Sequence, residues 1–470
     1  MRVENYPRED GMHYVRFKLT TETFSRTAYV VGNFTGWVKG AVPFTWCGKD
    51  YCANLVLPPG TYQYSLELDN EELPQGKDGE KFASLVLPPI PSPAKSDPGP
   101  IYEIFPDRFL CRGGGTEDLK GIMGEDLDKI RQKLGYVRSL GFKWVYMTPI
   151  FQSESYHRYD VTDYLSVDDR LGGNDAFRRF LETAHSLGLS VLLDLPFHHT
   201  SWRHPAFLSA KTDGRYRSWY YVDEAGYDTF AKVKSMPKLN GETAVNMLKD
   251  VIRFWSTFGV DGFRLDVAEG MPPRILWDLS DYAGKPMIAE VYDEPYIYRN
   301  AVTGVMNYQI WMHLMAFLKK RETGIELSEI MSRQKLLLPS SFLESSWLFL
   351  GTHDTKRALS ALGDAEKVKA GLAFVYTWVG TPMVYYGDEV GMMGGDDPDN
   401  RRCMDWDAAL QGGQVAELIK SLNSAWRPNR SVLLNGADEN SIWYVSGNSK
   451  VTISNDPDPQ GRYFKIETMT

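Results

Sequence analysis

The chain has 470 residues, 52 Lys and Arg against 61 Asp and Glu for a net charge of −9, and 43% hydrophobic against 24% charged residues. These proportions exclude a disordered chain, a collagen-like repeat and a small disulfide scaffold, and at about 150 residues per domain the length predicts roughly three structural units. The acidic balance argues against a nucleic-acid binder, which needs clustered Lys and Arg, while 13 Trp and 26 Tyr suit either a large core or the stacking of flat ligands.

The opening MRVENYPREDG is charged and has no apolar run of signal-peptide type, which predicts a protein that stays in the cytoplasm. Residues 1–90 then read as short alternating runs between turn signals, YVRFKLT, AYVVGNF, YCANLVLPPG and TYQYSLEL, the pattern of a small β-sandwich module. Cys47 and Cys52 could face each other across a hairpin, but four cysteines (47, 52, 111, 403) in so long a chain make no framework, and free buried thiols are expected. A Pro-rich linker occupies 91–100.

From Ile101 to about residue 430 strand-like pieces (IYEIF, WVYMTPI, SVLLDLPF, GFRLDV, KPMIAEVY, SSWLFLGTHD, TPMVYYGDE) alternate with helical ones such as DLDKIRQKLGYVRSLG and NDAFRRFLETAHSLG. Such alternation means parallel βαβ units, and a closed (β/α)8 TIM barrel is the commonest way to use so many. A doubly wound sheet is the rival, but neither GxGxxG at the first strand nor GxxxxGK[ST] occurs. The longest uncharged stretch, Gly371 to Gly387, is interrupted by Gly380, Thr381 and Pro382 and reads as a buried helix running into a buried strand, not a membrane span. Residues 431–470 read as a short C-terminal β domain of three strands, SIWYVSG, KVTISND and RYFKIET.

Several strand pieces end in polar clusters: Asp194 to His199, Arg264 with Asp266, Glu290, and His353 with Asp354. In a barrel these ends converge on one face, where such folds carry their chemistry. A single carboxylate after a strand usually caps the next helix, but four clusters together outweigh that reading. Arg264, two residues before Asp266, points to the same side of its strand and should hold Asp266 ionised, whereas Glu290 has no cation in its own segment and should keep its proton. An ionised nucleophile and a protonated acid are what a retaining glycosidase needs; an inverting one needs the same residue types further apart. Metal hydrolysis finds no HExxH, and a serine hydrolase finds no GxSxG.

At these residues the sequence resembles the α-amylase family, glycoside hydrolase family 13, and within it the neopullulanase, cyclomaltodextrinase and maltogenic amylase group. The resemblance covers roughly 101–430 and rests on Asp194 and His199, on Gly262-Phe263-Arg264-Leu265-Asp266, on Glu290, and on His353-Asp354. Flanking segments IYEIFPDRF, SYHRYDVTDY and MPKLN, together with the stretch around DPDNR, are similar to those of the group. The resemblance implies Asp266 as nucleophile, Glu290 as acid/base and Asp354 as the carboxylate that stabilises the transition state. It places Tyr159, His199, Arg264 and His353 around the sugar, and puts Asn240 among the substrate-binding residues. Asp397 and Arg401 either bind sugars further along or form a loop salt bridge. An excursion at about 196–242 would wall the cleft with Trp202, Trp219, Tyr220 and Tyr221, and Trp37 in VVGNFTGW is either a sugar platform or a core aromatic.

The chain departs from the group at His198 and Thr352, where Asn is usual, and at Glu269-Gly270, which face the acceptor sugar. The calcium loop expected after FPDRF is replaced by LCRGGGTED, so no cofactor is required and a metal there is doubtful. The implied activity is hydrolysis of α-1,4 bonds in maltooligosaccharides, cyclodextrins, pullulan or starch, with transfer to sugar acceptors; a dominant α-glucanotransferase and a silent glucan-binding protein are the alternatives. The implied partners are a glucan substrate and a second copy in a homodimer, with no nucleic acid and no membrane.

Overall fold

The computed structural model describes residues 1–7, 13–20, 27–46, 51–58, 60–69, 71–73, 81–87, 99–112, 118–212, 214–223, 226–428 and 431–469. The chain forms two compact units, Met1–Ser92 and Pro93–Thr470.

In the first unit strict alternation produces strands with one buried face. His13–Leu19 buries every second residue, placing Val15, Phe17 and Leu19 in a core with Val30, Tyr64 and Leu66. Two antiparallel sheets result, one built on Arg2–Pro7, His13–Leu19 and Tyr51–Leu57, the other on Ala28–Gly32 and Gly60–Leu68. Trp37 is not in that core: it is 37% exposed on a left-handed turn and leans on Phe82.

The second unit contains a closed barrel of eight parallel strands in sequential order: β1 (Ile101–Ile104), β2 (Trp144–Met147), β3 (Ser190–Leu195), β4 (Gly262–Leu265), β5 (Met287–Val291), β6 (Gly304–Asn307), β7 (Trp347–Leu348) and β8 (Thr381–Tyr385). Helices follow because each strand is buried on both faces and must cover its outer side. Along β4, Phe263 and Leu265 turn outward to the helices and Arg264 inward; the barrel is filled by Trp144, Tyr146, Leu192, Ile288, Met306, Tyr308 and Trp347. The helix Ala365–Thr377 does run into buried β8, as the uncharged stretch predicts. The strand pieces read from sequence omit β6, whose four residues GVMN are too short to display a period; its Gly304 is demanded by the Ser345 carbonyl carbon, only 2.7 Å from where a Cβ would stand. The closing sheet has four strands, Val432–Ala437 being added to the three expected.

The expectation of free thiols is overturned. Cys111, after β1, and Cys403, after β8, form a disulfide with Cα atoms 5.9 Å apart, Cys52 is also disulfide-bonded, and Cys47 lies outside the described residues. Among the described residues no helix is long and apolar enough to cross a membrane.

Candidate active site

The C-terminal ends of the strands open into a cleft of about 470 Å³. Strand alternation explains its acidic floor: Arg264 and Asp266 leave β4 on the inner side, and so does Glu290 from β5. Arg264 is fully buried, and its Nη1 donates to both carboxylate oxygens of Asp194 and to Oδ1 of Asp266, each at 2.8 Å. Its Nη2 lies 2.8 Å from Oε1 of Glu290, outside hydrogen-bond geometry. One guanidinium thus serves three carboxylates, and the cation beside Glu290 comes from the neighbouring strand β4 and not from its own segment. Asp194 accepts further bonds from Tyr146 (2.6 Å) and Tyr159 (2.9 Å), while Oε2 of Glu290 accepts from the N–H of Val267 at 2.8 Å.

Burial works against ionising either acid of the pair. Burial, opposed by Arg264 and aided by the neighbouring carboxylates, pushes Asp266 well above the usual carboxylate range, and burial raises Glu290 too. Arg264 opposes that cost at both acids, and only Asp266 receives a hydrogen bond from it. Val267, which supplies the amide to Glu290, has φ 46°, a left-handed backbone uncommon for a β-branched residue and typical of a functional position.

Across the cleft Asp354 is placed differently. His353 is completely buried and lies 2.8 Å from Asp354 through Nε2, while Arg401 donates to Oδ1 of Asp354 at 2.9 Å. Nδ1 of His353 donates to Glu103, and Nε2 shares Tyr159 Oη at 2.6 Å. Burial opposes a charge on His353, but Asp354 and Glu103 raise its pKa to about 10; burial likewise opposes ionised Asp354, but His353 and Arg401 hold it well below its ordinary range. Arg401 also pairs with Asp397 at 3.1 Å, and both line the cleft, so the salt bridge and the cleft position coexist.

Tyr159 and His199 line the cleft as anticipated; burial lowers His199 to about 3, so it is neutral, and its Nε2 is buried with no hydrogen-bond partner. Asn240 is not brought in: its side chain accepts from the N–H of Glu242 at 3.2 Å and caps the helix Gly241–Phe258. The expected aromatic wall is also different. Trp202 and Tyr221 are exposed, Tyr220 packs on Phe207 and Trp219 on Tyr216, and the excursion lends Phe230, Val233 and Met236 to the cleft instead. His157 and Tyr292 were also missed by sequence reasoning. Tyr292 was detectable, being two residues after Glu290 and so on the same side; Val233 and Met236 carry no local signal. Near FPDRF, Asp107 is occupied by Arg108, Arg158 and the N–H of Met123, and among the described residues no group of three or more His, Cys, Asp or Glu could hold a metal.

The family described as alpha amylase, catalytic domain, matches residues 103–290 and 282–445. Neopullulanase 2 of Thermoactinomyces vulgaris is 33% identical over 68% of this chain and 61% of its own length, and the intracellular maltogenic amylase of Bacillus subtilis strain 168 is 30% identical over 71% and 62%. The chain therefore spans about three fifths of the length of these curated relatives. Among solved structures, the ligand-free cyclic alpha-maltosyl-(1→6)-maltose hydrolase of Arthrobacter globiformis is similar at TM-score 0.71 and 25% identity, covering 79% of this chain and 97% of that one. The maltogenic amylase of S. marinus shares the fold at TM-score 0.72 and 22% identity over 99% and 81%.

Proposed function

The chain belongs to the alpha-amylase family, and on that premise we propose that it is a retaining glycoside hydrolase acting on α-1,4 bonds of maltooligosaccharides, cyclodextrins and related glucans. One observation carries this reading: Asp266 and Glu290 lie against a single guanidinium while Asp354, held ionised by two cations, borders the same cleft.

Asp266 and Glu290 together cannot release both protons easily. Asp266 has Arg264 in true hydrogen-bond geometry and Glu290 does not, so the shared proton belongs on Glu290. Ionised Asp266 attacks the anomeric carbon as Glu290 protonates the leaving oxygen; Glu290 then removes a proton from the water that releases the sugar. Asp354 stays ionised and offsets the positive charge of the oxocarbenium-like transition state. Tyr159 presents a flat ring to the sugar.

The protein is to be incubated separately with cyclodextrins, pullulan, starch and maltotriose, and products and their anomeric form followed with time. Retention at the cleaved carbon is expected, and Asp266→Asn should lower kcat by about 10³-fold or more. Near-wild-type turnover of that variant, or inverted products, would overturn the assignment. Sugar transfer exceeding release of reducing ends would mark a transferase, a reading favoured by the unusual Glu269 on the cleft wall.

A further inference from the structure

Gly270 is not among the glycines with left-handed backbone, so the chain gains nothing there from the freedom glycine allows. What demands glycine is a ring. A Cβ at Gly270 would stand 2.3 Å from Cδ2 and 2.5 Å from Nε2 of His198. His198 cannot step aside cheaply: it is 5% exposed and stands edge-on to both His199 and Phe230, with ring centroids 5.7 Å away in each case. Phe230 lies flat on His199 at 4.9 Å and 15°. The three rings form one cluster, and Gly270 is the floor beneath His198.

Phe230 needs such a seat. It opens a turn in which Ala231 and Lys232 are both left-handed, at φ 46° and 64°, conformations that persist only where the surroundings impose them. The turn carries Phe230, Val233 and Met236 into the cleft, whose lining also includes Glu269 and Tyr292. Glu269 and Tyr292 are tied to the segment bearing Glu290: Oε1 of Glu269 accepts from the N–H groups of Tyr292 and Asp293, and Val267 donates to Glu290. A residue that protonates the leaving oxygen stands on the leaving-group side, so this end of the cleft borders the leaving group and the incoming acceptor.

We infer that Gly270 and His198 act as a pair of positioning residues: Gly270 makes room for the His198 ring, that ring seats Phe230, and the seated turn sets the width of the leaving-group side for a glucan chain. The orientation toward the leaving group rests on the reading of Glu290 as the acid; the ring packing stands without it.

The test uses full-length Gly270→Ala, His198→Ala and the double variant. Amide hydrogen exchange is followed at 229–236 and in the helix Gly241–Phe258, with kcat and KM for maltoheptaose. Gly270→Ala should speed exchange at 229–236 by about fivefold while the middle of the helix is unchanged. KM should rise by about tenfold, with kcat within about twofold. In the His198→Ala background the same change should add less than about twofold to either readout, because no ring remains to be displaced. Additive effects, exchange spreading through the helix, or loss of kcat with KM unchanged would overturn the pairing. If Gly270→Ala alone does not fold, recovery of folded protein in the double variant supports it and failure to recover refutes it. Should the exchange pattern hold while wild type and variants are all inert toward glucans, the ring pairing survives and both the glucan role and the proposed enzyme activity fall.

Discussion

Asp266 and Asp354 face the same cleft from opposite electrical surroundings. Around Asp266 three carboxylates share one guanidinium, all carried by adjacent strands β3, β4 and β5. Around Asp354 two cations flank one carboxylate, and the parts hang on the segments that follow β7 and β8: Arg401 Nε donates to the carbonyl of His353, and Asn400 Nδ2 donates to the carbonyls of His353 and Thr355. Two aspartates of the same chemistry therefore titrate in opposite directions, one pushed up by burial among acids, the other held down by cations. The proposed mechanism, which holds and moves a proton at one wall and keeps a fixed negative charge at the other, draws on that asymmetry.

The sharpest way to break the contrast is to remove the cation from the acid-rich side. Arg264→Met leaves buried Asp194, Asp266 and Glu290 without their counter-charge and should destabilise the protein by about 3–5 kcal/mol in urea unfolding. Arg401→Met should cost only about 1–2 kcal/mol, because Asp354 keeps His353 and is partly open to the cleft. Equal losses would contradict the asymmetry.

Reducing the Cys111–Cys403 link tests how far the loop-borne side depends on a staple two residues from Arg401. Cys111→Ser should lose about 2–4 kcal/mol in a thermal melt under non-reducing conditions, and reductant should lower the wild type toward the variant. A melt indifferent to both would show that the Arg108 and Trp406 bonds across the same two segments suffice.

His353→Gln sharpens the pH side of the contrast. The stabilisation from His353, raised to about 10, is complete below its ordinary value near 6.5 and lost as pH rises through 10. That from depressed Asp354 is complete above its ordinary 3.8 and lost as pH falls below it. Removing the imidazolium should lift Asp354 and move the acid limb of stability upward by about one pH unit. An unmoved limb would mean that Arg401 alone holds Asp354 down. The smallest effect is expected at Asn240→Ala, which removes a helix cap outside both regions: about 1 kcal/mol of stability, with kcat/KM unchanged.

The site was legible where strand periodicity converts sequence spacing into position. Arg264 on β4 and Asp266 just past its end, two apart, share a face, and polar ends on successive strands converge once the barrel closes. Loop residues obey no such period. The resemblance pointed to Asn240 and to the Trp and Tyr cluster at 202–221 as cleft residues, yet a cap and local ring packing claim most of them, and Phe230, Val233 and Met236 take the wall.

By itself the sequence determined the alternation of strands and helices, the flanking strand-rich parts and the identities of most residues at the strand ends, because hydrophobic alternation is local and repeats along the chain. Only the tertiary structure decided how those residues are charged and spaced. Arg264 reaches Glu290 across a strand boundary, Cys111 meets Cys403 over 292 positions of sequence, and Gly270 answers to a ring 72 residues before it (270 − 198). Such contacts follow from chain closure and shared burial, which no window of sequence contains.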